Sequence, residues 1–436
     1  MLTITSAQNA DMDFVGGNLL KYGVLDYVCA WYIKAAQFIQ NTNIQVAFVS
    51  TNSITQGEQV GVLWQWLLAQ NIKIHFAHRT FRWSNDARGK AAVFCVIIGF
   101  GLEDAKTKRL YEYTSPDAEP LEVTANNINP YLVDATNVII TSRNKPICAV
   151  PQMVKGSQPT DDGNLLLTDE EKATLLGHEP HAQNFIYPLV SAHQFLNGEN
   201  RWCLWLKDIS PKELRALPNI MKRVENVRTF RLASKKAATV KLAAIPSLFA
   251  EIRQPESNYV LVPRHSSENR RFIPMAFFSK EYIVSDSCAA VPNATLYHFG
   301  VLQSTMHMAW TRQVCGRIKG DFRYSNNIVY NNYPWPENPS ESQRQRVETA
   351  AQKVLDARTH FPNDTLADLY DPNTMPKLLV DAHRELDAAV DACYRSRAFK
   401  TELERLEFLF DLYKRYTAPL IQAVEAATKK PRKVRK

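Results

Sequence analysis

The sequence predicts an α/β segment, then an α+β segment, then a helical C-terminal segment, and three observations predict it. Residues 20–101 follow the order helix, strand, helix, strand, strand, which describes the second half of a doubly wound α/β domain. From about 120 to 335, short strand-like runs (NVIITS, CLWLKDI, NYVLVPR, FIPMAFF, YIVSD) alternate with Pro, Asn and Gly breaks, an α+β pattern. Beyond Pro334 the residue mix changes to three stretches of mixed charge with helical spacing.

Taken in order, Val24, Val28, Trp31, Ala35 and Phe38 recur at helical spacing and mark an amphipathic helix. IQVAFVST, short and rich in β-branched residues, reads as a buried strand, and GEQVGVLWQWLLA as a helix. IKIHFAHRTF is a second strand. AAVFCVIIGF is a third, apolar on both faces, as a strand inside a helix-covered sheet must be. The first half of such a sheet is expected to precede Met1. The C-terminal stretches are RQRVETAAQKVLDAR, PKLLVDAHRELDAAVDACYR and TELERLEFLFDLYKRY, the last opened by Thr401 and Glu404 in capping-box register. Boundaries are drawn at 1–118, 119–336 and 337–428, with 429–436 a disordered tail.

With 436 residues, 45% hydrophobic and 22% charged, the chain is long enough for two or three cores. No apolar run approaches the roughly 18 to 20 residues of a membrane helix, and MLTITSAQNADMDF lacks a secretory pattern, so a cytoplasmic protein is expected. Cys29, Cys95, Cys148, Cys203, Cys288, Cys315 and Cys393 are widely spaced and mostly set among apolar neighbours, which suits reduced thiols. His178, His181 and His193 cluster around HEPH without a cysteine partner and read as loop histidines, so no metal is expected. The net charge of +8 is mostly the tail KKPRKVRK, whose six Lys and Arg side chains leave the body near neutral. Within that body Lys222, Arg223, Arg228, Arg231, Lys235, Lys236 and Lys241 face only Glu225, and read either as a phosphate-facing surface or as solvated charge.

The segments ADMDF, GVLDYVCAWYIKAA, VAFVSTNSITQGEQVGVLW, FAHRTFRWSN and KAAVFCVIIGF resemble the later methyltransferase motifs of the MmeI-like family of restriction-modification enzymes. MVKGSQPTDDGNLLL, RWCLWLKDIS, PRHSSENRRFIP, STMHMAWTRQVCGRIKGDFRYSNNIVYNNYPWPE and LADLYDP are similar to that family's target-recognition and C-terminal helical regions. The resemblance spans nearly the whole chain. It implies that 1–118 is the C-terminal part of a class I methyltransferase domain, 119–336 a target-recognition domain and 337–428 a helical domain.

The implied parent activity is N6-adenine methylation of double-stranded DNA with S-adenosylmethionine. That transfer needs a Gly-rich cofactor loop and an Asn-Pro-Pro-aromatic segment that accepts hydrogen bonds from the adenine amine. Gly99-Phe100-Gly101 is a poor match to the first, and Asn129-Pro130-Tyr131, one Pro short, reads better as a turn before a strand. The chain alone is therefore expected to bind no cofactor and to be inactive.

Recognition is what carries over. A base in a duplex must be flipped out for chemistry, and an aromatic face holds it; the resemblance puts that role on Phe81 or Trp83. Lys can donate to guanine and a carboxylate can accept from cytosine, so Lys319 and Asp321 can read both partners of one G·C pair. In the family this place resembles a base-reading pair, and Arg323 a reader of another position. Ser266, Ser267, Glu268, Arg270 and Arg271 form a polar loop suited to phosphates, as do Arg231, Lys235 and Lys236. His307 and Trp310, between Met306 and Met308, read as core, and Tyr333-Pro334-Trp335-Pro336 as a rigid connector. The expected function is sequence-specific DNA recognition. The alternatives are a subunit of a split methyltransferase completed by a separate chain, and a non-enzymatic DNA-binding remnant.

Overall fold

The computed structural model describes residues 4–17, 19, 22–83, 93–318 and 320–428, without the side chains of 420–428. Contacts divide the chain into two compact units. One joins Met1–Ala149, Thr305–Glu337 and Arg397–Lys436; the other joins Val150–Ser304 and Asn338–Ser396. Both fold classes read from the sequence are present: a mixed α/β sheet in the first unit, and small mixed sheets with long helices in the second.

The first unit is built on strands β1 (Val46–Thr51), β2 (Lys73–Trp83), β3 (Val93–Gly101), β4 (Lys108–Glu112) and β5 (Leu121–Ala125), in the order β1-β3-β2-β4-β5. β3, between β1 and β2, is antiparallel to both, so these two run parallel to each other. Thr51 and Phe81 both lie opposite Cys95, which brings the carboxyl ends of β1 and β2 to one level. Gly99 and Gly101 belong to β3 itself. A Cβ at Gly99 would fall 2.1 Å from the Phe76 ring, and one at Gly101 2.8 Å from the His75 ring, so these glycines make room for neighbouring side chains. They form no cofactor loop.

Helices α1 (Ser6–Gly16), α2 (Cys29–Phe38) and α3 (Gly57–Ala69) accompany the sheet. α2 departs from the sequence reading in which face it buries. Cys29, Ala30, Tyr32, Ile33 and Ala36 point inward, with the Tyr32 ring stacked on Phe100 at 5.7 Å. The stripe carrying Trp31 and Phe38 faces solvent, these two being 56% and 75% exposed. β1 is not a buried strand either. Among the described residues it pairs only with β3, and Val49 is 49% exposed. NVIITS forms no strand.

The same unit contains α4 (Thr305–Val314), the hairpin β6 (Gly316–Ile318) and β7 (Asp321–Arg323), and α5 (Glu402–Thr428). Trp310 of α4 is fully buried, donates to the Val329 carbonyl at 3.1 Å and packs against Tyr333, Phe410 and Tyr413. Tyr333 and Trp335 meet edge to face at 5.6 Å, making Tyr-Pro-Trp-Pro the packed connector the sequence suggests. His307, also fully buried, hydrogen-bonds the Tyr324 hydroxyl at 2.9 Å. At the start of α5, Thr401 accepts from the Glu404 amide, in the register read from the sequence, and the Glu404 carboxylate accepts from the Lys400 amide.

In the second unit one antiparallel sheet runs Ala276–Phe278, Tyr259–Pro263, Cys288–Pro292, Val154–Lys155. Another runs Ile283–Val284, Ile186–Val190, Trp202–Leu204, Leu166–Leu167. The helices Glu341–Thr359 and Lys377–Tyr394 pack together and against Leu296–Leu302, where Gly300 lets the axes approach: a Cβ there would lie 2.7 Å from Val347. Their polar core is Arg358, donating to the Met275 carbonyl, Gln303 and the Tyr370 hydroxyl; Tyr370 in turn meets His383 at 2.9 Å, and His383 stacks on Phe272 at 3.9 Å. No described helix is long and apolar enough to cross a membrane.

Burial pushes the His307 imidazole down to about 3, and burial followed by the charges of Arg358 and Arg271 holds His383 well below its ordinary 6.5. A base with a depressed folded-state pKa favours folding fully above the unfolded value, and that contribution is lost as pH falls toward the folded one. The urea midpoint should therefore be flat from pH 8 to 7 and decline from about pH 6.5 to 5, above the range where carboxylates titrate. A midpoint unchanged across that interval would contradict neutral buried histidines.

Candidate nucleic-acid interface

The carboxyl ends of β1 and β2 stand at one level, and the turn after β1 leads into α3. Ser53 and Gln59 both donate to the Asp26 carboxylate, at 2.7 and 2.8 Å, and Gln59 accepts from the Asp26 amide, which secures the turn after β1. Asn52 reaches across to the Thr80 hydroxyl at 3.4 Å. Along β2 lies an aromatic surface. His78 rests flat on Tyr111 (4.1 Å, 8°) and hydrogen-bonds the Tyr113 hydroxyl at 2.8 Å; burial lowers its pKa, favouring the neutral ring. Phe81 stacks on Tyr113 at 5.4 Å, and Trp83, two residues on and so on the same side of the strand, tilts against Phe81 at 6.2 Å. Both stacking candidates thus belong to one surface. Phe81 is its backed interior and Trp83, 46% exposed, its open end.

The hairpin pairs Gly316 with Arg323, Arg317 with Phe322 and Ile318 with Asp321. Alternation puts Ile318, Asp321 and Arg323 on one face, all exposed, and Arg317 and buried Phe322 on the other. Asp321 and Arg323 are therefore adjacent on a single outward surface, the geometry that groove readout requires. Lys319 lies outside the described residues.

The loop candidates belong to the other compact unit. Ser266 is buried, with the Arg270 guanidinium 3.4 Å from its hydroxyl; Ser267 accepts from the Asn269 amide; Arg271 lies 5.2 Å from the Phe272 ring and 3.9 Å from Asp387. In the same unit Arg231 must be withdrawn from the phosphate-facing set. On the helix Pro218–Leu232 it continues the buried stripe of Ile220, Val224 and Val227. It is fully buried, and its five N–H donors meet the carbonyls of Pro159, Thr160, Leu242, Ile245 and Leu248 at 2.7 to 3.0 Å. Arg223 is engaged by Glu171 and the carbonyls of Asn164 and Leu166, and Arg228 by Glu225 and the Ala243 carbonyl. Lys222, Lys235, Lys236 and Lys241 are exposed.

Asn129-Pro130-Tyr131 is a turn, as read, although no regular strand follows it. Fully buried Asn129 accepts from the amides of Tyr131 (2.9 Å) and Val133 (3.2 Å), so its side-chain oxygen is committed to the backbone. The sequence reading did not single out Tyr113 and His78, which back the aromatic surface, nor Arg317 and Gly57 at the hairpin. The Lys-Gly pair between Ile318 and Asp321 was the available signal for that hairpin.

Three family descriptions match in chain order: MmeI DNA-methyltransferase domain over 2–112, MmeI target recognition domain over 134–337, and MmeI C-terminal domain over 339–421. DNA methyltransferase A of Bacillus subtilis (strain 168) is 38% identical over 408 residues, 94% of this chain and 46% of that protein. A solved structure of the Type IIL restriction-modification enzyme MmeI in complex with DNA superposes with a TM-score of 0.88 at 49% identity, covering 95% of this chain and 55% of that one. The chain thus spans about half the length of each.

Replacing Arg231 with Met leaves five buried carbonyls without their donor. At about 1 to 3 kcal/mol per unsatisfied buried group, relieved in part by relaxation, the loss of stability in urea should be at least about 3 kcal/mol. The Lys235→Ala and Lys236→Ala changes should stay within about 0.5 kcal/mol.

Proposed function

Because this chain belongs to the MmeI family of restriction-modification DNA methyltransferases, with its methyltransferase, target-recognition and C-terminal regions in order, we propose that it binds double-stranded DNA and selects sequence. The observation that carries this is the hairpin face on which Asp321 and Arg323 stand together, within the stretch matched to target recognition. On this reading Lys319 and Asp321 read one base pair, Arg323 another, and Trp83, backed by Phe81 and Tyr113, stacks on the base taken out of the helix. Lys235, Lys236 and the Ser266–Arg271 loop supply phosphate contacts. The functional parts are 1–118, 119–336 and 337–428.

The chemistry of the complete enzyme is N6-adenine methylation with S-adenosylmethionine. The two segments nearest to its motifs do not fit that cofactor: the space beside Gly99 and Gly101 is filled by Phe76 and His75, and Asn129 is committed to its own turn. On this reading methyl transfer requires residues beyond these two segments. Incubation with labelled S-adenosylmethionine and mixed-sequence duplex DNA should leave the DNA unlabelled; robust labelling would refute this.

A second reading is favoured by the open edge of β1 and the exposed Trp31, Phe38 and Val49. It makes the chain one subunit of a split methyltransferase whose partner adds strands to that edge and carries the cofactor. A separately expressed cofactor-binding half added in trans should then restore labelling.

In a complete enzyme, Lys319→Glu with Asp321→Arg should change the preferred base at one position by roughly 1 to 3 kcal/mol of discrimination. Lys235→Ala with Lys236→Ala should instead weaken binding to every sequence, and reduce the salt slope by about one per lysine. Unaltered specificity in the first, or sequence-dependent loss in the second, would reverse the assignments.

A further inference from the structure

We infer that Arg317 is a positioning residue for base reading: it holds the β6–β7 hairpin rigid and in register with the aromatic surface of β2. The inference rests on the reading of Asp321 and Arg323 as base-facing residues. Discrimination between bases needs side chains held to within about 0.5 Å. Arg317 is placed to hold the β6–β7 turn and its foot in that way. Its guanidinium donates to the Gly320 carbonyl at 3.0 Å, at the tip beside Asp321, and to the Arg312 carbonyl at 3.0 Å, in the last turn of α4. Between these contacts its plane lies 3.9 Å from the ring of Phe322, its cross-strand partner. One planar side chain thus ties tip, facing strand and preceding helix together from the face opposite the readers. A lysine has no planar fork with which to make all three contacts.

The foot of the hairpin is seated as well. Gly57, at φ +62, opens α3, and a Cβ there would lie only 3.1 Å from the Gly316 Cα. Gln313, three residues before Gly316, accepts from Arg79 at 3.2 Å, and Arg79 stands two residues before Phe81 on β2. A continuous set of close contacts therefore runs from the stacking surface to the reading face, and the offset between the extruded base and the bases read is a property of the protein's own geometry.

The test uses the full chain and a randomised duplex pool, with enrichment read by sequencing, alongside affinity for one fixed unrelated duplex across salt concentrations. For both Arg317→Ala and Arg317→Lys, preference at the positions set by Asp321 and Arg323, identified by Asp321→Ala and Arg323→Ala, should fall by about tenfold or more. Affinity for the unrelated duplex and its salt slope should change less than about twofold. Full retention of preference by Arg317→Lys would show that a point charge suffices and overturn the inference, as would an unchanged motif in both variants. So would a uniform loss across all sequences with a shallower salt slope, the mark of a phosphate contact. If Arg317→Ala melts early, Arg317→Lys and Gly57→Ala, whose Cβ would press on Gly316, carry the comparison. A parent chain that enriches no motif would refute the proposed function itself; a parent motif that the variants share would refute only this inference.

Discussion

The insertion of β3 between β1 and β2 is the constraint on which the rest of the first unit depends. An antiparallel strand apolar on both faces forces its two neighbours to run parallel to each other, and the register at Cys95 makes their carboxyl ends coincide. The Asn52–Thr80 contact, Phe81 and Trp83, and the start of α3 sit at that level or just beyond it. Ligands of open α/β sheets gather outside the carboxyl ends of strands for the same reason, since only there do loops and helix starts converge. The glycines of β3 serve this arrangement from the other end of the strand. By having no side chains they let Phe76 and His75 lie across it.

Arginine and lysine divide the cationic work. Arg231, Arg317 and Arg358 each bring several carbonyls or hydroxyls from separate segments to one planar group, replacing regular secondary structure where loops would strand buried acceptors. The lysines around the helix Pro218–Leu232 remain at the surface. Non-specific attraction to a polyanion needs only exposed charge, whereas internal bracing needs a fixed fork. A chain whose folded body is nearly neutral can therefore hold a basic surface, provided that the arginines inside it are not counted as part of that surface.

Much of this was legible. The run GEQVGVLWQWLLA coincides with α3 from end to end, β3 was recognisable from its unbroken apolar character, and the two long helices after residue 340 follow their charge-and-apolar spacing. What misled was local pattern without its tertiary neighbours. The apolar stripe of α2 is real, yet the face that packs inward carries Cys29, Tyr32, Ile33 and Ala36, with Tyr32 stacked on Phe100, and Trp31 and Phe38 are left in solvent. Arg231 was read by charge when its spacing from Ile220, Val224 and Val227 already put it on the buried side. Short runs such as NVIITS have strand composition but no partner to pair with, and composition alone cannot supply one. The hairpin candidates Asp321 and Arg323 were named by chemistry and resemblance; Arg317 was not, because its contacts are to backbone carbonyls whose proximity no residue pattern encodes.

The two edges of the five-stranded sheet are built differently, and the difference bears on how the sheet is used. β5 exposes Leu121 and Val123, but Glu122 stands between them, tied to Arg109 at 3.7 Å and to the Tyr111 hydroxyl at 2.9 Å. A charge on an edge strand discourages further pairing. β1 has no such guard: Val46 to Thr51 contains no charged residue, Val49 is exposed, and Trp31 and Phe38, two turns apart on one side of α2, add uncovered aromatic surface. Exposed apolar residues thus line both edges, and only the β5 edge carries a charge among them. The asymmetry is what the split-enzyme proposal rests on: a further strand could pair along β1 without meeting a charge, and along β5 it would meet Glu122.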